Sequence, residues 1–311
     1  MWNIQVVPGG ITIGKRVGVR IGKEPTHAGE NPSRTAHSVT QPAIVPPDRC
    51  ELNGAAASAD DLRALATTNY GHFTAMQAEP GGVRGLDLHL ARLDHSTREL
   101  FGQPLDGARV RGYMRSALGG FDGAASMRIN VFSRTLHRDR MAEPAPPDVV
   151  VGVGAPRRID TTPVRLKAFR YERVLPHVKH VGTFGLFHHR RLAQLDGFDD
   201  ALFIDAGGAV SEASIWNIGF FDGDGIVWPD APALKGISMQ LLQKGLRERG
   251  VPSDSHRVAH ADIGAFRSAF LTNCSCAVRP IAEIDGVRFA LDPELDAMLA
   301  ACYASNAPQA I

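Results

Sequence analysis

Long apolar runs are missing from this chain. No stretch approaches the roughly 20 consecutive apolar residues that a membrane-spanning helix needs, and the N-terminus has no apolar core of the kind that directs export. Cysteine is scarce, with four in 311 residues. Cys50, Cys274, Cys276 and Cys302 form no C-x-x-C pair, and so few in so long a chain do not make a disulfide framework. A reducing, cytoplasmic setting is the simplest expectation. An excess of charge of either sign is also lacking. The 34 basic residues nearly cancel the 33 acidic ones, for a formal net charge of +1. Nothing in that balance points to a polyanion such as nucleic acid as the main partner, and none is expected. No metal site is expected. His188 and His189 are adjacent, so on a helix they point about 100° apart, and no acidic residue stands at ligand spacing from them.

What is present is a chain that is 44% hydrophobic, enough for one large or two medium cores. Residues 1–50 differ from the rest. They are rich in Gly, Pro, Ser and Thr, lack periodic apolar positions, and are expected to be a disordered extension. Their Gly-Gly-Ile-Thr-Ile-Gly-Lys run fails the spacing of a phosphate loop. Order is expected from Glu51 onward. Asp60-Asp61 is read as the cap of a short helix through Thr68. His72 to Gln77 reads as a strand. Leu86 to Phe101 reads as a helix with Leu90, Leu93 and Leu100 inward, and Val110, Tyr113, Met114 and Leu118 mark another. Strands follow at 126–132, 148–154 and 164–170. The proline-bounded stretch Pro156 to Pro163 reads as a junction.

In the second half, Thr183 to Leu195 reads as a helix and Asp200 to Asp205 as a strand. A hairpin is expected around Asp222-Gly223-Asp224-Gly225, a helix over Gly236 to Arg249, a strand over Ser268 to Thr272, and a hairpin turned at Asp285-Gly286. Strands and helices mixed in two blocks give an α+β (mixed α/β) class. Two domains are expected, 51–157 and 158–311, with a cleft between them.

The chemistry-bearing residues fall in a fixed order. His89-Leu-Ala-Arg92-Leu93 comes first, then Val178-Lys179-His180, then Gly197-Phe-Asp-Asp-Ala-Leu-Phe-Ile-Asp205. Val210-Ser-Glu212-Ala-Ser214-Ile-Trp-Asn217-Ile218 follows, then Leu234-Lys-Gly236-Ile237-Ser238. This order resembles the fold-type IV pyridoxal-phosphate (PLP) enzymes, the class IV aminotransferases, over roughly residues 51–300. The group includes branched-chain and D-amino-acid aminotransferases and aminodeoxychorismate lyase.

The resemblance implies that Lys179 forms the Schiff base with the cofactor aldehyde. Glu212 would face the pyridine nitrogen, since an opposite charge favours the protonated ring. Arg92 offers a planar fork to the phosphate. Ile237 and Ser238 start a helix whose free N–H groups favour an anion, and Thr272 adds a hydroxyl. The basic stretch His137-Arg138-Asp139-Arg140 is similar to the loop that holds the substrate carboxylate in D-amino-acid aminotransferases, which makes Arg138 and Arg140 candidate substrate anchors.

The expected activity is transfer of an amino group between an amino acid and a 2-keto acid, by a homodimer. The alternatives are a lyase that eliminates pyruvate from aminodeoxychorismate and a degenerate PLP-binding paralogue. Departures from the pattern are Phe184 in place of a tyrosine, Gly219 in place of an aromatic residue, Trp228-Pro229, and Met239 in place of a basic residue.

Overall fold

The computed structural model describes residues 47–121, 123–157 and 160–311, together with two short strands near the N-terminus, β1 (Val6–Val7) and β2 (Gly10–Ile11). Those two strands pair antiparallel within a unit spanning Met1–Val45; Pro46–Ile311 forms a second unit. The disorder expected of residues 1–50 otherwise lies outside the described residues up to Pro46. Within the second unit the first strand begins at Arg49 rather than at Glu51.

The first half of that unit is built on an antiparallel sheet. Its strands are β3 (Arg49–Leu52), β4 (Ala55–Ala56), β5 (His72–Ala78), β7 (Ala125–Phe132) and β8 (Asp148–Gly154), in the order β4-β3-β8-β7-β5. Helices α2 (Leu86–Phe101) and α3 (Gly107–Leu118) pack on it. Leu86, Leu93, Phe101, Val110 and Met114 meet Met127, Ile129, Val131, Val149, Val151 and Val153 there. Each fully buried side chain of this kind contributes roughly 1.5–3 kcal/mol. Leu93 is buried as its spacing predicts, whereas Leu90 and Leu100 sit at the margin and Leu86 and Phe101 are deeper. Helix α1 (Ala59–Thr67) is capped by Ser58, not by Asp60. The Ser58 hydroxyl accepts from the Asp61 amide while the Asp61 carboxylate accepts from the Ser58 amide, a reciprocal capping box.

The second half carries a nine-stranded mixed sheet. Its strands are β9 (Val164–Arg170), β10 (Asp200–Ile204), β11 (Val210–Ala213), β12 (Asn217–Phe221), β13 (Ile226–Pro229), β14 (Ser253–His256), β15 (Ser268–Asn273), β16 (Cys276–Ile284) and β17 (Val287–Arg288). The order is β11-β10-β9-β16-β15-β12-β13-β14, with β17 on β16. Helices α4 (Phe184–Leu195) and α5 (Ile237–Glu248) fall where periodicity places them.

Helix α6 (Pro293–Ala304) was not expected. Its apolar residues lie on all sides, so no stripe announces it. Strand β14, Ser-Asp-Ser-His, is exposed at every residue and gives no alternating signal either. After α6 the chain returns to the first half, where β18 (Pro308–Gln309) pairs with β6 (Val83–Arg84). No helix among the described residues is long and apolar enough to cross a membrane.

Candidate active site

The segment after β9 crosses to the first sheet and is fastened there by its backbone. Phe73 N–H donates to the Lys179 carbonyl at 2.9 Å, Val181 N–H donates to the Gly71 carbonyl at 2.9 Å, and His72 pairs with His180. Lys179 is thereby fixed at the entry of β5, with its Nζ 4.9 Å from the centroid of the Phe73 ring. The amine is desolvated and lies among other cations. Burial first, then Arg92 and Arg173, lowers its pKa to about 8.

Glu212, on β11, is 5% exposed. Its Oε1 lies 3.6 Å from Arg173 Nε, and its Oε2 accepts from the Leu234 amide at 3.4 Å. Burial raises its pKa, opposed by Arg173, the Leu234 amide and Lys179. Neither Glu212 Oε1 nor Arg173 Nε has a hydrogen-bond partner. Arg173 was not singled out from sequence: Tyr171-Glu172-Arg173 reads like any polar loop. Its other anchor is the Val178 carbonyl, which accepts from Nη2 at 2.6 Å.

Arg92 reaches inward from α2, where its Nη2 donates to Thr74 Oγ1 at 2.6 Å. The same oxygen lies 2.6 Å from His89 Nδ1, and His89 Nε2 lies 3.9 Å from Cys274 Sγ. His89 is wholly buried beside Arg92 and Lys179, and its pKa is held well below the usual histidine range, chiefly by desolvation. Thr74 and Cys274 are further members of the cluster that sequence reasoning missed.

Asn217 and Thr272 face each other in register on β12 and β15. Asn217 Nδ2 donates to the Leu234 carbonyl at 2.7 Å. Gly236 caps α5 without any side-chain hydrogen bond. A Cβ there would lie 1.9 Å from Asn217 Oδ1, so any larger residue would have to displace the Asn217 amide. Ser238, in the first turn, is 1% exposed and Thr272 is fully buried. Thr272 Oγ1 and Arg92 Nε are buried without a hydrogen-bond partner.

Buried polar groups are ordinarily paired, and a cluster of unpaired ones with both signs of charge fits a polar ligand with complementary ends. An anion suits Arg92, Thr272 and the uncapped start of α5. A basic ring nitrogen suits Glu212. An aldehyde suits an amine whose pKa lies near neutrality. The residues present fit PLP.

Arg138 and Arg140 make no hydrogen bond or ion pair with this cluster. They form an exposed 3-10 turn between β7 and β8, where Arg138 Nη2 donates to the Thr67 carbonyl at 3.3 Å and Arg140 pairs with Glu143 at 3.1 Å. The turn leaves the sheet beyond Val131, which pairs with His72, the edge to which Lys179 is fastened. Phe184 opens α4 with its ring stacked on His188 and 81% exposed.

Two of the other departures form one packing unit. The Phe270 ring meets Trp228 edge-on at 5.5 Å between centroids and occupies the space beside Gly219, where a Cβ would lie 2.5 Å from it. The missing aromatic at 219 is answered by Phe270, and Trp228 completes the unit by donating from Nε1 to Ser253 Oγ at 3.0 Å. Met239 packs on the same cluster.

A sequence profile described as amino-transferase class IV matches residues 71–284. The chain belongs to the class IV aminotransferase family. It is a PLP-dependent enzyme of that family. Among solved structures it is similar to the branched-chain aminotransferase of Thermoproteus uzoniensis, with 18% identity, 82% of this chain and 93% of the other covered, and a TM-score of 0.72. It is similar as well to the Escherichia coli branched-chain aminotransferase, with 15% identity, 84% and 95% covered, and a TM-score of 0.72. A protein provisionally assigned as a 4-amino-4-deoxychorismate lyase from Legionella pneumophila gives 20% identity, 74% and 89% covered, and a TM-score of 0.65. At such identities the likeness is one of fold. No curated protein sequence matches.

Proposed function

We propose that Lys179 is the catalytic lysine of a transaminase that moves an amino group from a primary amino acid to a 2-keto acid. The observation that carries this is the amine of Lys179, desolvated between Arg92 and Arg173 with Glu212 beside it and a pKa lowered to about 8. Such an amine is free in an appreciable fraction at neutral pH, and so serves both as nucleophile and as proton carrier.

Arg92, Ile237, Ser238 and Thr272 would hold the phosphate, the first by charge and the others by amide or hydroxyl donors. Glu212 would face the ring nitrogen, and Arg173 keeps its carboxylate in place. When bound, PLP supplies an electron sink for negative charge at the substrate α-carbon. Lys179 Nζ then takes and returns the proton at that carbon. His89, neutral and buried, fixes Thr74, and Thr74 fixes the Arg92 fork. Arg138 or Arg140 receives the substrate carboxylate.

In this reading residues 51–157 and 158–311 are the two domains that flank the cofactor. The working form is a homodimer and its place is the cytoplasm.

One observation favours a second reading. The structural likeness to the Legionella protein provisionally assigned as a lyase leaves elimination of pyruvate from aminodeoxychorismate as the alternative. Mixing the holoenzyme with panels of L- and D-amino acids separates the two. Transamination converts the cofactor spectrum from its aldehyde to its amine form, and a 2-keto acid restores it. Pyruvate released from aminodeoxychorismate, with the aldehyde spectrum unchanged under every amino acid, would replace the transaminase reading with the lyase.

A further inference from the structure

A second cluster of ligating side chains lies outside the site just described. His95 and Glu99 stand one helical turn apart on α2, so both point the same way. His177 approaches them from the loop that carries Lys179. Its Nε2 lies 2.8 and 2.9 Å from the two Glu99 oxygens, and His95 Nε2 lies 3.7 Å from Glu99 Oε2. One ligand atom from each residue falls within 4.8 Å of the others, and this is the one such grouping of three among the described residues.

We propose that His95, Glu99 and His177 form a binding site for a divalent transition-metal ion, zinc being the best match. Two imidazole nitrogens and one carboxylate oxygen are the donor set that Zn²⁺ takes in open sites, with water in the fourth position. Tetrahedral coordination at about 2.0–2.1 Å places ligand atoms roughly 3.3 Å apart. The separations of 2.8 and 3.7 Å bracket that spacing, and the third, between His95 and His177, lies within 4.8 Å.

The supports are rigid. His95 and Glu99 are on a regular helix. The loop that carries His177 is braced within itself. Arg173 donates to the Val178 carbonyl, Val178 N–H donates to the Leu175 carbonyl at 2.9 Å, and His180 Nε2 lies 2.8 Å from the Val174 carbonyl. The cluster is open to solvent, with His95 and His177 side chains 69% and 48% exposed, so an ion has an entry path.

The location gives the site a consequence. His177 stands two residues before Lys179, and Glu99 is on the helix that carries His89 and Arg92. An ion held there ties the lysine loop to that helix, which the Glu99–His177 contact already joins. The sequence held no sign of it, because His177 is far along the chain from its two partners.

Titrating PLP-loaded enzyme with Zn²⁺ in a calorimeter, and with Co²⁺ while recording visible absorbance, tests the site. One ion is expected per chain. Loss of a direct ligand in His95→Ala or His177→Ala is expected to weaken binding at least about tenfold, the low end of what even outer-shell changes cost. His188→Ala, at another exposed histidine, is expected to bind as the parent does. His95 is a surface residue, so His95→Ala is not expected to disturb folding even if the loop variant does. The proposal is overturned if the parent shows no saturable binding at about 0.1 mM Zn²⁺, or if His95→Ala binds with unchanged affinity. Neither result bears on whether Lys179 carries PLP.

Discussion

Two basic clusters, built from the same side-chain chemistry, differ in nearly every physical property. Lys179, Arg92 and Arg173 converge with Glu212, partly or wholly removed from water, and Lys179 is pushed down to about 8. Arg138 and Arg140 stand on an exposed turn and find partners of the ordinary surface kind, a carbonyl and a neighbouring glutamate. The difference teaches that a cation becomes reactive through what surrounds it. Desolvation and like charge destabilise the protonated amine of Lys179, whereas solvent screens the turn arginines.

The largest contrast is expected from removing the buried amine. Lys179→Ala should lower transaminase activity by at least about a thousandfold, within the range lost with a positioned proton carrier, and abolish the visible band of bound cofactor. Arg138→Ala and Arg140→Ala should leave that band intact. Next is Arg92→Ala. Losing charge-assisted hydrogen bonds worth roughly 1.5–3 kcal/mol should weaken PLP affinity about ten- to a hundredfold, measured by fluorescence titration of the apoenzyme. Equal affinity in that variant would place the phosphate elsewhere.

The pH dependence sharpens the comparison further. With a pKa of about 8 against an ordinary value of 10.5, the neutral fraction of Lys179 rises from about one-tenth at pH 7 to about nine-tenths at pH 9. The rate at which apoenzyme takes up PLP covalently should therefore rise about tenfold over that interval and then level. A rate still climbing past pH 10 would describe a solvated lysine. The same shift has a sign for stability. Between pH 8 and 10.5 the unfolded chain holds the extra proton, so this group makes apoenzyme stability rise with pH across that window.

The smallest effect belongs to the turn. Replacing whichever of Arg138 and Arg140 meets the substrate should raise KM for the amino donor by a few fold, in line with the ~1 kcal/mol ceiling of exposed ion pairs. Melting temperature should not move. A loss of kcat with KM unchanged would mean that the arginine serves the chemistry rather than binding.

The same contrast explains how much was legible in the sequence. Lys179, Glu212 and Ser238 stood out as candidates because each sits in a local run of fixed spacing, and α2, α5, β8 and β9 could be read because their apolar positions repeat or run together. Arg173 could not, since its partner Glu212 lies on another element and nothing in Tyr171-Glu172-Arg173 marks it as buried. Cys274 and Thr74 were hidden for the same reason. Helix α6 was missed because it is apolar on every side, and β14 because it is polar at every residue. Gly219 and Trp228 read as departures from a family pattern until Phe270, placed beside Gly219 by β15 and reaching across it to Trp228, showed that they pack as one unit.

The central claim is that Lys179 carries the cofactor. Reducing PLP-loaded enzyme with borohydride, digesting it and weighing the peptides by mass spectrometry tests it most directly. A single phosphopyridoxyl group on the peptide containing Lys179 is the predicted result. The same group on another lysine, with the Lys179 peptide unmodified, would contradict the account.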